Sequence, residues 1–283
     1  MLHMHIAMAP TPDALIKVLR TGRTHYDHTY TEGLNVCSQP WDDGDCTPGG
    51  FYACELRHIF EWITLYDDIT EVAWVDVPAD AQVARFDTKI KASKLVLSGF
   101  MPVEDAIRLA LEAGANVHSS NDKALRSASE YGHIECVRLL LAGGADVDAR
   151  SGDALFWSSY NGDAELSRIL LAAGANVHFF DDKALRVASE YGHAEVVRLL
   201  LQAGADVHAS NDEALRMACK YGYSEVVCLL LQEGADVHAN NDYALFWAFE
   251  NGHADCVRLL LKAGANVQAL RWAPAPQLIR KCV

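Results

Sequence analysis

The chain has 283 residues, 51% of them apolar and 22% charged, with a formal net charge of −14. Residues 1–100 hold 8 Lys/Arg against 14 Asp/Glu, and the remainder 16 against 24, so neither part offers the basic clusters that nucleic acid requires. There is no apolar run of the roughly 18 residues that would suggest a membrane span, and the opening MLHMHIAMAP has His where a secretory signal carries Lys or Arg.

These features predict a protein of the cytoplasm, its own or a host cell's, with neither nucleic acid nor membrane as partner. The eight cysteines are scattered, several at apolar helix positions, as in a reducing compartment.

In chain order, PDALIKVLR (12–20) predicts a short helix capped by Thr11 or Asp13. Residues 23–52 read as loops and end in the turn CTPGGFY (46–52). ELRHIFEWI places Leu56, Ile59, Phe60 and Ile63 at helical spacing. ITEVAWVDV, AQVARF and KLVLSG then read as strands. Residues 1–100 are therefore expected to form a small α+β domain. Cys37, Cys46, Cys54 and His58 lack any Cys-x-x-Cys spacing, a weak case for zinc. Cys46 or Cys54 with His25 or His58 is a further conceivable nucleophile–base pair that no spacing favours.

From residue 121 the chain restarts every 30 residues, five times, as in DDKALRVASEYGHAEVVRLLLQAGADVHAS (181–210). Residues 103–120 match only the second half of a unit, and 271–283 suit a terminal cap. Each unit predicts helix, turn, helix, loop, the helices ending at glycines such as Gly132 and Gly144. Asp122, Asp153, Asp182, Asp212 and Asp242, at the start of each first helix, read as N-caps. Two short helices cannot bury an apolar face alone, so units must stack. His118, His178, His208 and His238 recur once per unit. Stacked helices lie about 8–10 Å apart, too far for shared zinc ligands, so no metal is expected and local hydrogen bonds are.

The pattern A-L-x-x-A…G-H-x-E-x-V-x-L-L-L-x-x-G-A-D-V over 103–270 resembles the ankyrin repeat. The fold implied is an α+β N-terminal domain followed by an all-α ankyrin solenoid. The unit is shorter than the usual 33 or so residues, with Asp-x-Ala-Leu replacing Thr-Pro-Leu-His, so a clipped hairpin finger is expected. By analogy with ankyrin proteins, the varying residues line a concave groove that binds a protein partner: Arg126, Tyr131, Phe156, Trp157, Tyr160, Arg186, Tyr191, Arg216, Tyr221, Phe246 and Trp247.

Two resemblances meet in the first hundred residues. HYDHTYTEGLNV (25–36), CTPGGFY, EVAWVDVPADAQV (71–83) and KIKASKLVL (89–97), placed before short ankyrin units, look like the front domain of giant-virus-type ankyrin proteins. The order of parts also resembles ADP-ribosyltransferases of the poly-ADP-ribose polymerase and diphtheria-toxin type. That resemblance implies NAD as cofactor, held by His25 or His28, with Gly49 and Gly50 letting the backbone approach it and Tyr52 stacking on nicotinamide. It also implies a late-strand Glu, but KIKASKLVL carries Lys91 and Lys94 instead. Glu71 is the nearest acid, one strand early, and Asp87 the other candidate. The expectation is an effector-like protein whose array binds a partner and whose front domain transfers ADP-ribose to it. The alternative is an adaptor whose front domain only caps the solenoid, with Ser98–Pro102 standing in for the first helix that the half repeat lacks.

Overall fold

The computed structural model describes residues 11, 13–20, 24–25, 28–39, 42, 50–63 and 69–268. The chain divides into two compact units, residues 1–146 and 147–283.

The first unit is built on a seven-stranded antiparallel sheet. Its strands are β1 (Leu15–Arg20), β4 (Gly33–Val36), β5 (Phe51–Glu55), β6 (Ile69–Asp76), β7 (Val83–Arg85), β8 (Ile90–Ala92) and β9 (Lys94–Pro102), in the order β4-β9-β6-β1-β5-β8-β7. β2 (Thr24–His25) and β3 (His28–Thr29) pair separately. The helix expected over 12–20 is instead β1, near the middle of the sheet. LIKVLR is apolar on both faces, so its alternation is masked and reads as easily as helix. One face of the sheet packs Leu19, Tyr30, Phe51, Ala53, Ala73, Ile90 and Leu97 into a core.

Leu56–His58 form a 3-10 turn that leads into α1 (Ile59–Trp62), where a helix is expected. Val103, Ala106, Ile107 and Ala110 are the buried stripe of α2 (Val103–Glu112), which packs on β6 and β9. α2 stacks against α4 (Ile134–Ala142), and α1 stacks against α3 (Ser119–Glu130). The half repeat is thus completed by α1, whereas residues 98–102 continue β9. In this way the sheet and its helices cover the first face of the array.

In the second unit, α5 (Ala149–Asn161), α7 (Phe179–Glu190), α9 (Ala209–Tyr221) and α11 (Ala239–Glu250) pack side by side as first helices. α6 (Ala164–Ala172), α8 (Ala194–Gln202), α10 (Ser224–Gln232) and α12 (Ala254–Lys262) form the second row. Leu170, Leu200, Leu230 and Leu260 are fully buried. Gly192 and Gly204 end their helices at φ +79 and +93, as their sequence positions predict.

Where longer repeats would carry a finger, each unit makes a turn of three consecutive left-handed residues. Ser120-Asn121-Asp122 and Phe180-Asp181-Asp182 have φ between +51 and +59. Left-handed backbone costs about 1–2 kcal/mol per residue outside glycine, so the turn must be held by its surroundings. Two side chains hold it. Asp182 is buried and accepts bonds from His178 Nδ1 (3.1 Å) and from the Asp206 N–H of the following loop (2.9 Å). Arg186 donates to the carbonyls of Asp181 (2.9 Å) and Phe180 (2.8 Å).

The same His–Asp bond is made by His118, His208 and His238 to Asp122, Asp212 and Asp242. These four aspartates are therefore inter-repeat links lying within left-handed turns, not the N-caps their position suggests. In the second repeat Gly152 takes the aspartate's place, and Asp148 accepts the next loop's N–H, from Asn176 at 2.9 Å.

Candidate functional site

Two regions carry candidate residues, and the sheet is the first. Tyr52 lies half-buried on β5, with Lys89 Nζ 4.7 Å and Lys91 Nζ 5.6 Å from its ring centre. Lys89 also sits over Trp62 at 4.3 Å and Phe86 at 5.6 Å. A Cβ on Gly50 would meet the Lys91 chain at 2.8 Å, so that glycine leaves room for a lysine rather than for a ligand.

His28 is on the other face. Its ring centre is 4.7 Å from both Tyr30 and Phe51, and its Nε2 is 3.4 Å from Asn35 Oδ1. Buried Asn35 closes the loop into β4 by donating to the Thr31 and Gly33 carbonyls and accepting the Thr31 N–H. Glu71 is in register with Leu19, a residue of that same core. Strand alternation therefore places His28 and Glu71 across the sheet from Tyr52. The single cleft that the transferase resemblance implies is not assembled, and these residues do not fit NAD in that manner. His25 lies on β2, its side chain outside the described residues, as is Gly49. Asp87 is exposed in the turn between β7 and β8.

Burial excludes thiol chemistry at Cys54, whose pKa is pushed up to about 12. His58 Nδ1 is engaged by Glu61 at 3.0 Å. Cys46 lies outside the described residues. Lys17 is buried beneath the sheet, donates to the Tyr52 carbonyl (2.8 Å) and lies 4.6 Å over the Tyr30 ring. Desolvation holds its ammonium down to about 8.

The second region is the row of first helices. Tyr160, Tyr191 and Tyr221 are 38%, 44% and 42% exposed beside the turns that end α5, α7 and α9. Phe156, Trp157 and Tyr160 cluster at 5.2–6.2 Å, and Tyr160 meets Tyr191 edge-on at 4.7 Å. A hydrogen bond between the two hydroxyls raises the Tyr191 pKa. Further along, Tyr243, Phe246 and Trp247 cluster at 5.6–5.7 Å, and Lys220 bridges Tyr221 (4.9 Å) and Trp247 (5.5 Å). The result is a band of partly exposed rings, the residue types that dominate binding hot spots.

Tyr131 is half-buried on the corresponding helix end of the first unit. The arginines are placed differently from expectation. Arg126, Arg186 and Arg216 each hold the carbonyls of their own left-handed turn, and Arg186 also pairs with Glu213 at 2.5 Å. Their repetition at one position marks a structural duty, so they leave the expected binding set. The set gains Tyr243, Phe180 and Lys220, which stand where other repeats carry different residues. That variation was the available signal.

Comparison with known proteins bears on the array. A family described as ankyrin repeats matches residues 147–211 and 185–271, and the single ankyrin repeat matches 124–152. Two proteins of Acanthamoeba polyphaga mimivirus named as ankyrin repeat proteins are 27% and 34% identical over 130 and 118 residues. Those stretches are 44% and 38% of this chain but only 39% and 38% of the relatives, so the match spans about two fifths of each relative's length. An uncharacterized protein of the same virus is 26% identical over 129 residues, 43% of this chain and 92% of that one.

Proposed function

Since the chain belongs to the ankyrin-repeat proteins, we propose that it is an interaction protein whose partner docks on the aromatic band of the first helices, in the cytoplasm. Ankyrin repeats generally bind proteins. The observation that carries the finer reading is the run of exposed Tyr160, Tyr191 and Tyr221 at 38–44% exposure, continued by Trp157 and Trp247. Such rings add area and hydrogen-bonding tips at low entropic cost in an interface. The three rings touch neighbouring rings of the array and still keep 38–44% of their surface exposed.

The test is a selection of peptides from a random library on the immobilised protein. Their affinities are then compared with those for a Tyr160/Tyr191/Tyr221→Ala variant of unchanged thermal stability. Loss of affinity by about tenfold or more, 1.4 kcal/mol, supports the reading. Equal affinity for both proteins overturns it.

NAD binding at Tyr52 is kept as a second proposal. The half-buried Tyr52 ring is the group that a base of a dinucleotide would meet, while Lys89 and Lys91, at 6% and 0% exposure, are buried beside it. No transfer step is drawn, because His28 and Glu71 lie across the sheet. NAD titration of wild type and Tyr52→Ala decides it; without binding, the sheet serves as the cover of the array's first face.

A further inference from the structure

Between α5 and α7 lies a cavity of about 150 Å³, its walls including Gly152, Phe156, Trp157, Phe179, Phe180 and Lys183. It exists because two repeats depart from the others. Gly152 replaces the linking aspartate, and the Phe179 ring comes within 2.8 Å of where a Cβ would stand. Phe179-Phe180 stand where other repeats have Ser119-Ser120, Ala149-Arg150, Ala209-Ser210 and Ala239-Asn240.

Phe180 is the anomaly. It combines a left-handed backbone, φ +51, with a side chain 65% exposed. A bulky residue in that conformation costs backbone energy, and an exposed ring returns no burial. Folding supplies no reason for it, whereas a docking surface does.

A cavity of about 150 Å³ has room for one benzene ring; four rings, Phe156, Trp157, Phe179 and Phe180, line it beside polar Ser151, Asn176 and Asp153, the last 3.8 Å from Arg150. At its mouth the exposed Lys183 ammonium lies 4.3 Å over Phe156, and no carboxylate among the described residues pairs with it. The array from 147 to 268 has 17 Asp/Glu and 9 Lys/Arg, so its general field repels acidic partners. That field is screened beyond about 8 Å at physiological salt, whereas Lys183 acts at contact.

We infer that this cavity seats one aromatic side chain of a partner segment that carries an acidic residue beside it, the carboxylate meeting Lys183. The inference rests on the array being a partner-binding surface and names one element of what it binds.

The test uses the full chain and three blocked tripeptides, Glu-Phe-Glu, Gln-Phe-Gln and Glu-Ala-Glu, at physiological salt, reading the Trp157 indole N–H by NMR. Glu-Phe-Glu should bind with a dissociation constant on the order of millimolar, with Glu-Ala-Glu at least about tenfold weaker. Phe180→Ala, a change at an exposed side chain, should weaken Glu-Phe-Glu by about tenfold. Lys183→Gln should make Glu-Phe-Glu and Gln-Phe-Gln bind alike. An unmoved Trp157 signal, binding of Glu-Ala-Glu as tight as Glu-Phe-Glu, or indifference to both substitutions overturns the inference. In that case peptides selected on the tyrosine band still bind if the broader reading is right, and fail to if it is not.

Discussion

His193 lies directly over Gly162: a Cβ on that glycine would fall 2.4 Å from the imidazole Nδ1, while His193 Nε2 stands 3.0 Å from the Tyr160 carbonyl oxygen. The Gly-His pair of the repeat is therefore a contact between successive units. The glycine makes the turn, and the next unit's ring fills the space its missing side chain leaves. His253 repeats the arrangement over Gly222, bonding the Lys220 carbonyl at 3.1 Å, and Tyr223 lies over Gly192.

Gly162→Ala should consequently cost more than a left-handed alanine alone. The backbone term is about 1–2 kcal/mol, and displacing His193 removes a bond of about 1 kcal/mol. Chemical denaturation should show a loss of about 2–3 kcal/mol. Gly174→Ala has φ +93 but nothing within 4 Å of the added carbon, and should lose only the backbone share.

Asp182→Ala should destabilise by about 2–3 kcal/mol, since it strands the Asp206 N–H and removes an acceptor of charge-assisted bonds. Asp148→Ala should be milder, because its bond to the Asn176 N–H lies at an exposed site. Equal losses at the two positions would show that the buried link matters no more than the exposed one.

Lys17 gives a pH signature. Its folded pKa is depressed to about 8 from 10.5, so its contribution is most favourable above 10.5 and is lost as pH falls through 8. Lys17→Met removes that burden at the expense of the bond to the Tyr52 carbonyl. The variant should be about 2 kcal/mol more stable at pH 7. Its advantage should shrink as pH rises from 8 towards 10.5, read from paired denaturation curves.

Arg186 and Tyr191 should separate stability from binding. Arg186→Ala frees the carbonyls of Phe180 and Asp181 and should lower stability by about 1–3 kcal/mol. Tyr191→Ala, at a ring 44% exposed, should alter stability by about 1 kcal/mol or less while weakening partner binding.

The repeat register was legible because glycines and leucines recur at one spacing, and each glycine ends its helix as expected. The left-handed turns were not legible. Asp122, Asp182, Asp212 and Asp242 stand where an N-cap would stand, and only their bonds to a histidine four residues back and to the next loop reveal the link. β1 was misread because a strand buried on both faces loses its alternation. The completion of the half repeat by α1 depends on a contact between Leu56–Trp62 and a helix some sixty residues on, which no local pattern encodes. Among site residues, Tyr160, Tyr191 and Tyr221 were visible as variable aromatics. The arginine trio misled because the same residue type serves hot spots and carbonyl clamps. In the front domain, His28 and Tyr52 are separated by the parity of one strand, visible only once pairing is known.

The most direct test of the partner-binding surface is site-specific photocrosslinking to a selected peptide ligand, with the photoreactive residue at position 191 or 221 on the first helices, or at 168 or 198 on the second row. The account predicts crosslinks from 191 and 221 and none from 168 and 198. Crosslinks confined to 168 and 198 would contradict it and move the interface to the opposite row of helices.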